Sequence, residues 1–120
     1  MLLDTNAVIW MLTGHPRARP LMDAGRLYVS PVCLLELQFL LEVGRLSAIP
    51  GRFIDELATD PRWWLDSPAS EALFAAARAI SWTRDPFDRL LVGHARCRRW
   101  VLATGDRRLA DKLGDQALFL

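Results

Sequence analysis

Met1-Leu2-Leu3-Asp4-Thr5-Asn6-Ala7-Val8-Ile9-Trp10-Met11-Leu12 sets an acid after three apolar residues and then continues into an apolar run of helical length. Met1–Leu3 reads as a short strand ending at Asp4, and Asn6–Leu12 as the start of a helix. The chain that follows repeats this alternation. Pro16–Ala24 reads as a second helix, Leu27–Ser30 as a strand, and Ser30-Pro31 as the start of a helix to about Val43, where Gly44 stops it. After Pro50-Gly51 a helix runs to about Thr59, Trp63–Leu65 is a strand, and Ser67-Pro68 opens an Ala-rich helix reaching Ile80. Asp85-Pro86 opens another to about Arg99. A strand at Trp100–Ala103, a short helix at Asp106–Leu113 and a strand at Ala117–Leu120 complete the pattern. Ser30-Pro31, Ser67-Pro68 and Asp85-Pro86 share one start signature. A side-chain oxygen caps free backbone N–H groups, and Pro at the first helical position sacrifices no hydrogen bond. Strands alternating with helices predict an α/β fold: a three-layer α/β/α sandwich around a central parallel sheet of four to five strands.

In such sheets ligands bind outside the carboxyl ends of the strands. Asp4 ends the first strand, and Asp106 sits in the turn after Trp100–Ala103. Glu36 lies within two turns of the start of the helix that leaves the second strand. Asp88 is the third residue of a helix that runs antiparallel to the strands, so its start faces the same edge. Four acids from four segments are therefore expected on one rim. Two of them occupy apolar-looking helix faces: Glu36 neighbours Val32, Cys33, Phe39 and Leu40, and Asp88 neighbours Leu91 and Val92. A desolvated carboxylate needs a partner, either Arg or a cation. Two unit charges ~4 Å apart repel by about 4 kcal/mol at an effective dielectric near 20. Such repulsion favours a cation, and oxygen ligands without His or Cys point to Mg²⁺, or Mn²⁺, rather than Zn²⁺. Metal-activated water beside a bound phosphate is nuclease chemistry.

Length and composition are compatible with this. The 120 residues fit one domain, 1–120, with 52% hydrophobic residues and five Trp to fill a core. The longest apolar runs, Ala7–Leu12 and Ala72–Ala77, fall far short of the ~20 residues that span a bilayer. The apolar start lacks a basic region and is interrupted at Asp4, so no secretory signal is expected. Cys33 and Cys97 have neither metal-ligand spacing nor disulfide density, and a reduced, cytoplasmic protein is the expectation. Net charge is +1, but residues 61–120 hold the excess of cations. Arg89, Arg96 and Arg107 belong to this basic half and are candidate RNA contacts, against a default of solvated surface.

Leu2-Leu3-Asp4-Thr5-Asn6, Glu36 in a Leu-rich helix, Asp85-Pro86-Phe87-Asp88-Arg89-Leu90-Leu91-Val92 and Ala103-Thr104-Gly105-Asp106-Arg107 together resemble the PIN domain. More narrowly they resemble the VapC toxins of type II toxin–antitoxin pairs, and the likeness spans almost the whole chain. It implies a Mg²⁺-dependent endoribonuclease that leaves a 5′-phosphate and is held inactive by a cognate antitoxin. Family members often dimerise, so a homodimer within the complex is expected. By motif position Asp4, Glu36, Asp88 and Asp106 form the acidic quartet, with Asn6 and Thr104 as supporting polar residues. Cys33 stands where Ser is common, and Gly93-His94 replaces a more usual Ala-Gln.

Each acid also has a plainer reading. Asp4 and Asp106 suit helix caps, Glu36 suits an ion pair with Arg, and Asp88 suits a dipole-favoured place in a first helical turn. Asp85, as the cap before Pro86, is fully explained structurally and is left outside the catalytic set. His15 and His94 are given no catalytic role, although His94 is able to titrate near a phosphate. Trp63, Trp64, Trp82 and Trp100 read as core or interface. Two other functions share part of the pattern. A haloacid-dehalogenase-like phosphatase also places an Asp after its first strand, but wants a second acid where Asn6 stands. A non-catalytic PIN-like binding module keeps the fold without the chemistry.

Overall fold

Strand β1 (Leu2–Leu3) holds the middle of the sheet although it is only two residues long. In the computed structural model, which describes residues 1–47 and 49–120, both leucines are fully buried. Successive strand side chains point to opposite faces. Leu3 accordingly enters one apolar cluster and Leu2 the other, and Ala103 and Leu102 of β4 (Leu102–Thr104) divide the same way. A parallel sheet apolar on both faces needs helices over each.

One cluster gathers Ala7, Val8 and Leu12 of α1 (Thr5–Thr13), Cys33 and Leu37 of α2 (Pro31–Glu42), and Phe53 of α3 (Ile49–Thr59). The other gathers Val92 and Ala95 of α5 (Pro86–Arg98) with Leu109 and Leu113 of α6 (Arg107–Leu113). Helix α4 (Ser70–Arg78) packs along α5. A Cβ at Gly93 would stand 3.0 Å from Ala77 N and 3.2 Å from Leu73 O, so the helices touch backbone to backbone there. The fold is the expected α/β sandwich.

The sheet has five strands, all parallel, in the order β3 (Trp63–Leu65), β2 (Leu27–Val29), β1, β4, β5 (Ala117–Phe119). From β1 the chain builds outward through β2 and β3, then returns to lay β4 and β5 on the other side. Leu3 pairs with both Val29 and Ala103. Between β1 and β4 the order reverses, and a crevice opens beyond the carboxyl ends of those strands. Asp4 follows β1 directly, and Asp106 comes two residues after β4.

Three local expectations change. Pro16–Ala24 is a tight 3₁₀ helix over Pro16–Leu21 only, because Pro20 inside it cannot donate to an α-helical ladder. The helix expected from Ser67-Pro68 starts at Ser70, and its cap, Ala69, makes no side-chain bond. The preceding residues are fastened elsewhere. Arg98 Nη2 donates to Ser67 O at 3.2 Å, and Asp66 is held by Arg98 and His94, so the chain is tied to α5 before it turns into helix. The fourth strand begins at Leu102 rather than Trp100. Arg99 ends α5 in the left-handed region, φ 56°, and Trp100 stacks on Tyr28 with ring centroids 4.0 Å apart. Among the described residues no helix is long and apolar enough to cross a membrane.

Candidate active site

Asp4 leaves β1 and caps α1, with Oδ1 accepting from Ala7 N at 2.6 Å. Its other oxygen accepts from Thr104 Oγ1 and from Gly105 N, the latter at 3.3 Å. The pairing of β1 with β4 sets this contact, since it brings fully buried Thr104 beside Asp4 across a hundred residues of chain. Thr104 Oγ1 also accepts from Asp106 N at 3.0 Å and so fixes the turn that follows. Asp106 caps α6, accepting from Arg108 N at 2.7 Å and Leu109 N at 3.2 Å. Glu36, in the second turn of α2, accepts from Thr5 Oγ1 through Oε2. Asp88, in the first turn of α5, accepts from Thr83 Oγ1 through Oδ2 at 3.2 Å.

These four carboxylates, with Thr5, Asn6, Leu91 and Leu109, line one cavity of about 40 Å³. That is room for a body or two the size of a water molecule. Three buried threonines each donate to one carboxylate: Thr5 to Glu36, Thr83 to Asp88 and Thr104 to Asp4. A hydroxyl orients a carboxylate without neutralising it. Glu36 Oε1, Asp88 Oδ1 and Asp106 Oδ2 accept no hydrogen bond from the described residues.

The acids pay electrostatically for this crowding. Burial raises the Asp4 carboxyl above its ordinary value, against the pull of Thr104, Ala7 and Gly105. Burial likewise raises Glu36, with the charges of Asp85, Asp88 and Asp4 adding to it. Asp88 is pushed up to about 6 by burial and by Asp85 and Asp106, with Thr83 and Arg108 opposing. Arg108 Nη2 stands 3.8 Å from Asp88 Oδ2, too long for a tight pair. Among the described residues no three Asp, Glu, His or Cys side chains are drawn together as a ready ligand cage; the acids ring the cavity wall. The donor set is nonetheless of the hard-oxygen class that Mg²⁺ and Mn²⁺ take. Mg²⁺ commonly keeps several waters and uses only one or two protein carboxylates, which suits a ring with free oxygens.

Asn6 is exposed and lies on the cavity rim. Arg89 donates through Nε to Thr83 O at 2.7 Å and lines a separate apolar groove of about 170 Å³ with Phe74 and Leu90. Arg96 is exposed two turns beyond Asp88 on α5. Arg107, exposed, lies over Phe119 at 4.5 Å from the ring centroid. Asp85 caps α5, accepting from Phe87 N at 2.8 Å and Asp88 N at 3.3 Å. His94 is buried outside the cavity, its Nε2 2.8 Å from Asp66 Oδ2, with burial lowering its pKa. Cys33 is a core residue whose thiol is pushed up to about 12, chiefly by burial. Sequence reasoning missed Thr5 and Thr83 as carboxylate partners. Thr5 stands inside the Leu2–Asn6 motif, but nothing marks Thr83.

A profile of the PIN domain family matches residues 1–113. The chain belongs to the PIN domain family. That membership displaces the haloacid-dehalogenase-like alternative. This PIN domain is 28% identical, over 126 aligned positions, to the tRNA(fMet)-specific endonuclease VapC of Shigella flexneri, covering 94% of this chain and 91% of that protein. Among solved structures it is similar to a toxin–antitoxin complex from Klebsiella pneumoniae, with a TM-score of 0.73 at 16% identity over 98% of this chain and 94% of that one. It is also similar to VapBC2 of Rickettsia felis, solved on a DNA fragment from its promoter, with a TM-score of 0.66 at 16% identity over 99% and 96% of the two chains. At such identity the structural likeness is one of fold.

Proposed function

We propose that this PIN domain is a Mg²⁺-dependent endoribonuclease, with Mn²⁺ as an alternative ion, and that it is the toxin of a toxin–antitoxin pair. Asp4, Glu36, Asp88 and Asp106 are its catalytic and metal-holding residues, with Thr104 and Asn6 in support. One observation carries the reading: four carboxylates from four segments face one small cavity, and three of them are held above their ordinary pKa. Such a site favours whatever brings positive charge.

A bound divalent ion supplies charge stabilisation at the phosphate and a more acidic water. The chain supplies the geometry. Asp4 is fixed by three donors, more than any of the other three acids accepts among the described residues. Thr5 and Thr83 aim Glu36 and Asp88, leaving Glu36 Oε1 and Asp88 Oδ1 free to orient water or accept its proton. Asn6, on the rim, offers amide N–H groups to a phosphate oxygen. Leu91 and Leu109 give the cavity an apolar wall that limits competing water.

The Shigella relative, named as an endonuclease, and the toxin–antitoxin assemblies among the structural neighbours support an RNA substrate and a protein antitoxin. The reading includes a single domain over residues 1–120, a homodimer within the toxin–antitoxin complex, and action in the cytoplasm.

The test uses purified protein and labelled transfer RNA. Cleavage to 5′-phosphate products with Mg²⁺, its loss on chelation and its return with Mg²⁺ or Mn²⁺ are the expected results. Asp4→Asn should keep the circular dichroism of the parent and lose at least about 100-fold in rate, the scale of removing a major electrostatic contributor. Undiminished cleavage under chelation, or by Asp4→Asn, overturns the mechanism. Metal binding with no cleavage of any RNA selects the non-catalytic module instead.

A further inference from the structure

Helix α6 starts against its own electrostatics. Its first two residues, Arg107 and Arg108, are cations at the positive end of the helix dipole, and the capping Asp106 is the one acid at that end set against them. Cations so placed are typically disfavoured by ~0.3–1 kcal/mol each. The free N–H groups of Arg108 and Leu109 are taken up by Asp106, so the turn has no backbone need of an anion. Two cations at the positive end of a helix break a local preference, a kind of departure found at functional sites.

The two side chains part on either side of Asp106. Neighbouring helical residues do not share a face. Arg108 reaches toward Asp88 and Thr83, with Nη2 3.8 Å from Asp88 Oδ2 and 3.5 Å from Thr83 Oγ1, yet its side chain is 61% exposed. This grip is loose enough to exchange for a better anion. Arg107 goes the other way and makes no ion pair with any described residue. Its guanidinium lies over Phe119, a ring 39% exposed on β5 in register with Thr104. Arg17 lies 5.5 Å from the same ring centroid, and its Nη2 donates to Gly105 O at 3.5 Å. Phe119 thus stands beside the turn that carries Asp106, with the Arg107 guanidinium over its ring.

We propose that Arg107 and Arg108 form a fork across the acidic cavity that grips the backbone of single-stranded RNA on both sides of the bond to be cut. Arg108 contacts the phosphate on the Asp88 side. Arg107 contacts the one on the Phe119 side, where the exposed ring gives an unpaired base a surface to stack on. Guanidinium suits both tasks, since its planar donors meet phosphate oxygens in pairs and its face packs on an aromatic ring. The inference rests on the nuclease reading of the cavity, whose acids otherwise repel the strand they must approach.

The fork is tested by fluorescence anisotropy with a labelled single-stranded oligoribonucleotide of about 12 residues. Full-length protein carrying Asp4→Asn is titrated in Mg²⁺ from about 50 to 250 mM salt, the range over which phosphate contacts show as a slope. Adding Arg107→Gln or Arg108→Gln should raise Kd about tenfold, as for a lost charge-assisted hydrogen bond. Each should also flatten the log Kd against log salt slope by about 0.7, and the pair by about 1.4. Phe119→Leu should weaken binding with the slope unchanged, and Arg26→Gln, exposed just before β2 at the opposite edge of the sheet, should change neither. Thermal melts of the variants exclude unfolding as the cause. If Asp4→Asn binds RNA but the two Arg variants match it in Kd and slope, the fork is wrong and the nuclease reading stands. If wild-type protein neither binds nor cuts RNA, the reading of the cavity falls and takes the fork with it.

Discussion

Asp88 shows what a single side chain gives up to be in this site. Its carboxyl sits at about 6 in the folded chain, mainly through burial and then through Asp85. In the unfolded chain it returns to its ordinary value of 3.8. Between those values the folded protein holds a proton that the unfolded protein has released, so stability falls as pH rises through the interval. A shift of this size corresponds to at most about 3 kcal/mol. Glu36 and Asp4, raised in the same direction, add to the trend. The acids should therefore lower the melting temperature of the metal-free protein between pH 5 and pH 7, and Mg²⁺ should recover their share at pH 7. Buried His94, its pKa lowered, acts the other way over this interval, so melts with and without chelator are compared with Asp88→Asn; a metal-free parent whose melting temperature changes with pH just as that variant's does would mean that Asp88 is not strained. The threonines behind the acids show why the site was only partly legible. Thr104 and Thr5 both stand in recognisable motifs, but Thr5 meets Glu36 across 31 positions, and Thr83 meets Asp88 from a loop that no motif marks. A hydroxyl's role is decided by where its rotamer points, which no spacing encodes.

At the level of elements, the strands and most helix starts were readable because their causes are local. Ser30 accepts from Val32 N at 3.2 Å and Asp85 from Phe87 N at 2.8 Å, each before a Pro, as their sequences suggest. Ser67-Pro68 carries the same letters and fails, because Asp66 and Ser67 are tied to α5 by tertiary bonds. Those ties also explain the Gly93-His94 departure from the family pattern. Gly93 lets α4 lie backbone to backbone on α5, and His94, one residue on, reaches Asp66. Gly93→Ala should then be destabilising although Ala is the better helix former. The new methyl has only backbone atoms to displace, a kind of overpacking that costs typically about 1–3 kcal/mol. Urea unfolding measures this directly, and a Gly93→Ala protein as stable as its parent would show that the helices separate freely.

For the molecule as a whole, stability rests on two small cores back to back. Phe53, fully buried, meets Trp63 edge-on with centroids 5.7 Å apart and joins α3 to the edge strand β3. Phe53→Ala should cost about 3–5 kcal/mol, a large share of the ~5–15 kcal/mol that such a domain has. A loss below about 1 kcal/mol in denaturant unfolding would show that α3 contributes little to that core. The three layers were legible from alternation of strand and helix, and the rim from the acids that follow strands. The order of the strands was not, since it depends on which neighbours β1 accepts after chain reversal. That order has one more consequence. Asp4 lies at the second residue beyond Met1-Leu2, and its anchor, Thr104, comes a hundred positions later. A ribosome making this chain adds Thr104 and Asp106 about a hundred residues after Asp4. Until then the growing polypeptide carries Asp4 without the partner that fixes its carboxylate, and the rim of acids is incomplete.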